Sequence, residues 1–145
     1  MVREAVKEDL HELLNLYLFL NEKNIPENSI RLENTWKTII EDENHHIIVN
    51  EINGKILSSC VCVIIPNLTR DVRPYAFIEN VVTNEEYHGK GYATECLNYA
   101  KEIATKNNCY KMMLLASTKK ESTLNFYKNV GYNSKDKTAF IQWLE

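Results

Sequence analysis

The chain has 145 residues, 44% of them apolar and 26% charged, with a formal net charge of -3. That balance suits one globular domain over residues 1–145 with a sizeable core, and excludes fibrous or low-complexity architectures. The slight acidity gives no global basic field for nucleic acid or an anionic membrane, and no apolar run approaches the roughly 18 residues of a spanning helix.

The elements begin with the charged N-terminus "MVREAVKEDL", which lacks the apolar stretch of a signal peptide; the expected compartment is therefore the cytoplasm. A short strand there leads into a helix in which Leu10, Leu13, Leu14 and Tyr17 recur at helical spacing, with Asp9 near the start, where a carboxylate suits the helix dipole. Ile30, Trp36, Ile39 and Ile40 predict a second helix of about two turns, with Ser29 as its cap. "HHIIVNEINGKILSSCVCVIIP" then holds two β-rich runs joined by Asn53-Gly54, a dipeptide that tolerates positive φ and predicts a tight type I′ hairpin. Pro66 closes the second strand, "NLTRDVRP" reads as a polar loop, and "YAFIENVV" is a third long strand entered at Pro74.

Between Gly91 and Lys106 the residues Ala93, Cys96, Leu97, Ala100 and Ile103 form one apolar helical face. "CYKMMLLA" is nearly unbroken in its apolar character and reads as a central strand covered on both sides. Thr123, Phe126, Tyr127 and Val130 give a short helix ended by Gly131. In "TAFIQWLE", Ala139, Ile141 and Trp143 alternate with Phe140 and Gln142, a final strand pattern, and one more strand is expected near Tyr132 to Lys135. The order β-α-α-β-β-β-α-β-α-β makes a mixed sheet with helices on both faces.

Four cysteines, Cys60, Cys62, Cys96 and Cys109, form no CxxC pair and fall on predicted strands and a helix, against a disulfide framework. Cys60 and Cys62 would share a strand face, but no second ligand pair has zinc-site spacing, so no metal is expected.

Only four glycines occur in the chain, yet Gly89 and Gly91 stand one residue apart between an apolar strand and a helix. In that position glycines let the main chain approach a phosphate while the helix dipole favours the anion. A dinucleotide fingerprint would need a third glycine, where Thr94 stands, and an acidic residue ending the next strand; both are missing. The remaining choices are a tight turn into a helix or a different phosphate cradle.

From Ile78 onward, "IENVVTNEEYHGKGYATECLNYA", then "YKMMLLAS" and "LNFYKNVGY", resemble the GNAT superfamily of acetyl-CoA-dependent N-acetyltransferases in order, spacing and residue type. The look is nearest to its glucosamine-6-phosphate N-acetyltransferase branch. The resemblance implies an α/β (α+β) fold with a mixed, mostly antiparallel sheet of about six to seven strands. It places the pyrophosphate signature on His88, Gly89, Lys90, Gly91, Tyr92 and Ala93, with His88 where the family carries Arg or Gln. Lys120 and Thr123 stand where relatives often carry Asn and Ala. By the same resemblance, the main chain at Val81 and Val82 binds the thioester carbonyl and the pantetheine amides.

Acyl transfer to an amine needs the amine neutral and the leaving thiolate protonated. An alkyl amine has a pKa of about 10 and arrives mostly protonated. Glu79, a carboxylate in an otherwise apolar strand, is the candidate base, and Tyr127 matches the tyrosine that protonates the thiolate in many family members. The implied reaction is direct transfer from acetyl-CoA, without a metal, to a primary amine on a small molecule. A peptide or protein amine is the alternative acceptor, and a noncatalytic acyl-CoA-binding module the alternative class. Tyr17, Asn21, Glu22, Arg70 and Arg73 are candidates for the acceptor side, the arginines suiting an anionic acceptor and Glu22 a cationic one. Relatives often pair, so the resemblance leaves a homodimer open.

Overall fold

In the computed structural model, which describes residues 1–145 throughout, the sheet is built outward from the Asn53-Gly54 hairpin. Both turn residues take left-handed φ, 52° and 79°, as a type I′ turn requires. They join β2 (His45–Ile52) to β3 (Lys55–Ile65) in antiparallel register. β1 (Val2–Glu4) lies antiparallel on the outer side of β2, and β4 (Tyr75–Thr83) antiparallel on β3. β5 (Met112–Leu114) follows β4. The Tyr110 N–H donates to Pro74 O and the Ala76 N–H to Lys111 O, so both chains advance together and this pair is parallel. The result is one mixed, mostly antiparallel sheet in the order β1-β2-β3-β4-β5.

Alternation along β2 and β3 decides what each face carries. Ile47, Val49 and Val61 join Leu13 and Leu16 of α1 (Leu10–Tyr17) and Trp36 of α2 (Ile30–Glu41) in one buried cluster. Ile48, Cys60 and Cys62 point the other way and are fully buried, on the side where Asn50 reaches α4 (Tyr92–Lys106). Helices thus cover both faces, as expected. Burial pushes the Cys62 and Cys96 thiols up to about 12 and raises that of Cys60 further.

Polar ties fix the entry. Asp9 is bound by both guanidinium nitrogens of Arg3 at 2.7 and 3.0 Å and by the Val6 N–H at 2.7 Å; the adjacent guanidinium holds its carboxyl below the usual 3.8. Ser29 caps α2 through the Leu32 N–H, and Trp36 Nε1 donates to Lys7 O at 3.0 Å. With 12 residues, α2 is longer than the two turns its weak periodicity suggests. That buried indole bond anchors it where apolar spacing is thin.

The polar loop before β4 contains α3 (Thr69–Val72), a single turn in which Arg70, Asp71 and Val72 all take left-handed φ of 55–61°. α5 (Glu121–Val130) ends at Gly131, φ 110°, whose N–H and that of Tyr132 close back on Lys128 O and Tyr127 O, the cap the sequence predicts.

Three strand expectations are corrected. The sheet has five strands, not six or seven. Residues 132–135 form no strand, because Asn133 Oδ1 accepts the N–H groups of Lys135 and Asp136 in a turn. Residues 138–145 form none either: alternation sorts side chains between faces, but a strand also needs a partner edge for its backbone groups, and no ladder forms there. In consequence β5 is an edge strand of three half-buried residues, not a central one.

The chain divides into two units, Met1–Met113 and Leu114–Glu145. No helix is long and apolar enough to cross a membrane.

Candidate active site

β4 is the element that positions the first candidate. Along β3, Ser59 and Val61 are separated by Cys60 alone, whereas their partners Val82 and Glu79 are separated by Asn80 and Val81. That extra residue is a β-bulge, and Asn80 takes the strain with φ 50°, a conformation asparagine tolerates better than most residues. A bulge disrupts the ladder locally and bends the strand, and Val81 lies within it. Val82 is back in register opposite Ser59 and buried in the core cluster, and its carbonyl accepts the Ser58 hydroxyl at 2.9 Å. Of the two valines whose main chain is expected to meet the thioester, Val81 sits at the irregular point and Val82 follows it, back in register.

Glu79 pairs with Val61 and so faces the α1–α2 side. It is exposed to solvent and stands with Asn80 on the wall of a cavity of about 330 Å³ between α1, α2 and the sheet. Tyr17 lines the same cavity as Asn80, and burial pushes its phenol up to about 12. Asn80 is the residue sequence reasoning passed over. It reads as one step of strand alternation, and its only signal is asparagine's preference for left-handed φ.

Among the other acceptor-side candidates, Tyr17 alone lines the cavity. Asn21 and Glu22 are exposed beyond the end of α1. Arg73 donates to Asn108 O and Cys109 O, and the Arg70 guanidinium lies 5.4 Å from the centre of the Tyr110 ring. Both arginines serve the junction of β4 and β5.

The second region is the loop from β4 to α4. Asn84 caps a 3-10 turn over Glu85–Tyr87 through the Glu86 N–H. Gly89 and Gly91 then take φ of 76° and 83°, and no side chain caps α4. The first-turn N–H groups at Tyr92, Ala93 and Thr94 thus have no intrahelical acceptor. The space beside both glycines is open, with no atom within 4 Å of where a Cβ would stand. The α4 N-terminus is held from below: Asn50, fully buried, donates to Tyr92 O and to Glu95 Oε2 at 2.7 Å. The His88 Nε2 hydrogen-bonds Thr83 O at 3.0 Å, which folds the ring back onto the strand end. The Lys90 ammonium rests 5.0 Å from the centre of the Tyr87 ring. Left-handed glycines, an uncapped helix start and a nearby lysine are a setting for an anion, and the residues present fit a pyrophosphate.

Tyr127 belongs to the unit Leu114–Glu145. It is half-buried, with its ring edge-on to Phe126 at 5.0 Å and to Tyr132 at 6.1 Å. No group of three or more His, Cys, Asp or Glu side chains is placed to hold a metal ion.

Comparison with known proteins agrees with this geometry. Residues 8–132 match the Acetyltransferase (GNAT) family. A protein of Agrobacterium tumefaciens provisionally described as an acetyltransferase is 35% identical, with a TM-score of 0.90 and 99% of both chains covered. Glucosamine-6-phosphate N-acetyltransferase from Arabidopsis thaliana shares the fold at 19% identity, with a TM-score of 0.83 over 100% of this chain and 98% of that one. In sequence, glucosamine 6-phosphate N-acetyltransferase of Trypanosoma brucei brucei is 30% identical over 91 residues, 63% of this chain and 60% of that protein. The chain spans about three fifths of the length of the curated relatives it matches. With a family match across most of its length, on a sheet with a bulged fourth strand leading into a glycine-lined helix start, the chain belongs to the GNAT acetyltransferase family.

Proposed function

We propose that the protein is an N-acetyltransferase that moves acetyl from acetyl-CoA directly to a primary amine within a ternary complex. The observation that carries this is the continuity of β4. One strand presents Glu79 on the cavity wall, bulges at Asn80–Val81, and leads into the Gly89–Gly91 junction before α4. Bound there, acetyl-CoA would supply an activated acyl group as a thioester.

The residues divide the work by position. The amides of residues 89–93 at the start of α4, with Lys90, hold the pyrophosphate, and His88 steadies the loop through Thr83. The Val81 main chain at the bulge orients and polarises the carbonyl. Glu79, directly or through water, takes the proton of the incoming ammonium. A carbon–nitrogen bond forms as the carbon–sulfur bond breaks; Tyr127, assigned from the family resemblance, gives its proton to the departing thiolate, and the second proton shed by the acylated nitrogen restores the tyrosine through water. Direct transfer needs no enzyme nucleophile, and Cys60 and Cys62 are fully buried, away from any substrate.

The exposed C-terminal run supports a pairing role. Phe140 is 90% exposed and Trp143 72%, and an apolar run of this kind is the sort of surface a second copy of the chain would cover. Calorimetric titration with acetyl-CoA tests the coenzyme site. The expected outcome is saturable binding by the wild type and its loss in Gly91→Glu, which puts bulk and negative charge where the anion would sit; a folded wild type that binds nothing overturns the proposal. Thiol release with an amine panel then separates an enzyme from a noncatalytic acyl-CoA-binding module.

A further inference from the structure

The cavity beside Glu79 has a chemistry of its own. Its walls are mainly aliphatic and aromatic, with Leu13 and Leu14 from α1, Trp36 from α2, and Val61 and Val63 from β3. Glu79 is the only acid on them, and no lysine or arginine lines the space. Its remaining titratable neighbours are neutral near pH 7: burial lowers His45 from 6.5, and the Tyr17 phenol stays protonated. The volume of about 330 Å³ lies at the low end for small-molecule pockets.

From this lining we infer that the acceptor is a small primary amine with an apolar body, an alkyl- or arylalkylamine, whose ammonium meets Glu79 while its carbon skeleton fills the space between α1, α2 and β3. The inference rests on the acetyltransferase assignment and names its substrate class. Two other amine classes fit poorly. A sugar phosphate would bring a multiply charged anion to a wall with no cation, since Arg70 and Arg73 are engaged at Tyr110 and at the Asn108 and Cys109 carbonyls; burying such a charge unpaired is costly. A polyamine or aminoglycoside would bring several ammonium groups to a single carboxyl, leaving the others against leucine and valine.

Trp36 makes the test direct. The chain has two tryptophans, so Trp143→Phe leaves the cavity-wall indole as the sole reporter. This variant is titrated with 2-phenylethylamine, hexylamine, glucosamine 6-phosphate and spermidine, first without acetyl-CoA by fluorescence and then with it by thiol release. Expected are saturable Trp36 changes with the two apolar amines only, and kcat/KM values for them at least tenfold above those of the polar pair. Leu14→Asp should weaken the apolar amines at least tenfold and leave acetyl-CoA binding unchanged. Flat Trp36 fluorescence with both apolar amines, or faster turnover of glucosamine 6-phosphate or spermidine, overturns the inference. Failure of the parent assignment looks different, because the fluorescence titration needs no coenzyme and calorimetry with acetyl-CoA needs no amine.

Discussion

Every fully buried side chain of the protein lies in residues 1–113, and residues 114–145 contain none. The first region layers two helices, a sheet and a third helix, and the groups proposed for function hang from packed elements: Glu79 from a strand laddered to β3, the proposed cradle from a helix pinned by buried Asn50. The second is one helix with an aromatic cluster and an exposed tail. A phosphate cradle and a base need fixed geometry, which packing supplies. The proton donor proposed on the short helix, Tyr127, would tolerate more freedom.

The contrast breaks most visibly in the core. Leu13→Ala, on the buried face of α1, should cost about 3–5 kcal/mol through lost burial and the cavity left behind, read from urea unfolding midpoints; a loss near zero would mean the first region is not the stable one. Next come the two chemical groups. Glu79→Gln should lower kcat about 10³-fold and Tyr127→Phe about 10²-fold, within the usual span of general acid–base catalysis, with acetyl-CoA affinity unchanged in both. Equal activity of Tyr127→Phe and wild type would restrict the chemistry to the first region.

A smaller effect is expected from Asp9. Its folded pKa lies below the unfolded value because Arg3 and the Val6 N–H stabilise the carboxylate. The pair therefore contributes fully above about pH 4 and is lost as pH falls through the depressed folded value. Asp9→Asn should cost about 2 kcal/mol at pH 7 and flatten the acid limb of a stability–pH profile below about pH 4. The smallest effect belongs to the tail: Phe140→Ser with Trp143→Ser should change unfolding free energy by less than about 0.5 kcal/mol and shift the molecule toward monomer in light scattering. A large destabilisation would show that the tail is buried in solution.

The sequence made most of the first region legible because its signals are local. Asn53-Gly54 announces a hairpin, the spacing of Cys96, Leu97 and Ala100 a helix, and Gly89 and Gly91 a glycine junction into that helix, and each lies in its predicted element. What stayed hidden depends on partners. Nothing in "FIENVV" says that Asn80 will sit in a bulge opposite Cys60, because the extra residue exists only relative to β3. The placement of Arg70 and Arg73 was hidden for a similar reason: their destinations are Tyr110 and the carbonyls of Asn108 and Cys109, more than thirty positions away. The tail pattern shows the converse, since "TAFIQWLE" has the alternation of a strand without an edge to join.

The placement of the cysteines has a practical side. Cys60, Cys62 and Cys96 are fully enclosed and Cys109 half so, each with its thiol made less acidic by burial. Disulfide dyes react with thiolates that they can reach, so the folded protein should be nearly silent toward such a reagent at neutral pH. Coenzyme thiol freed in turnover would then be the fast-reacting sulfur in the mixture. Colour would report catalysis continuously, and a sudden rise in background would mark unfolding.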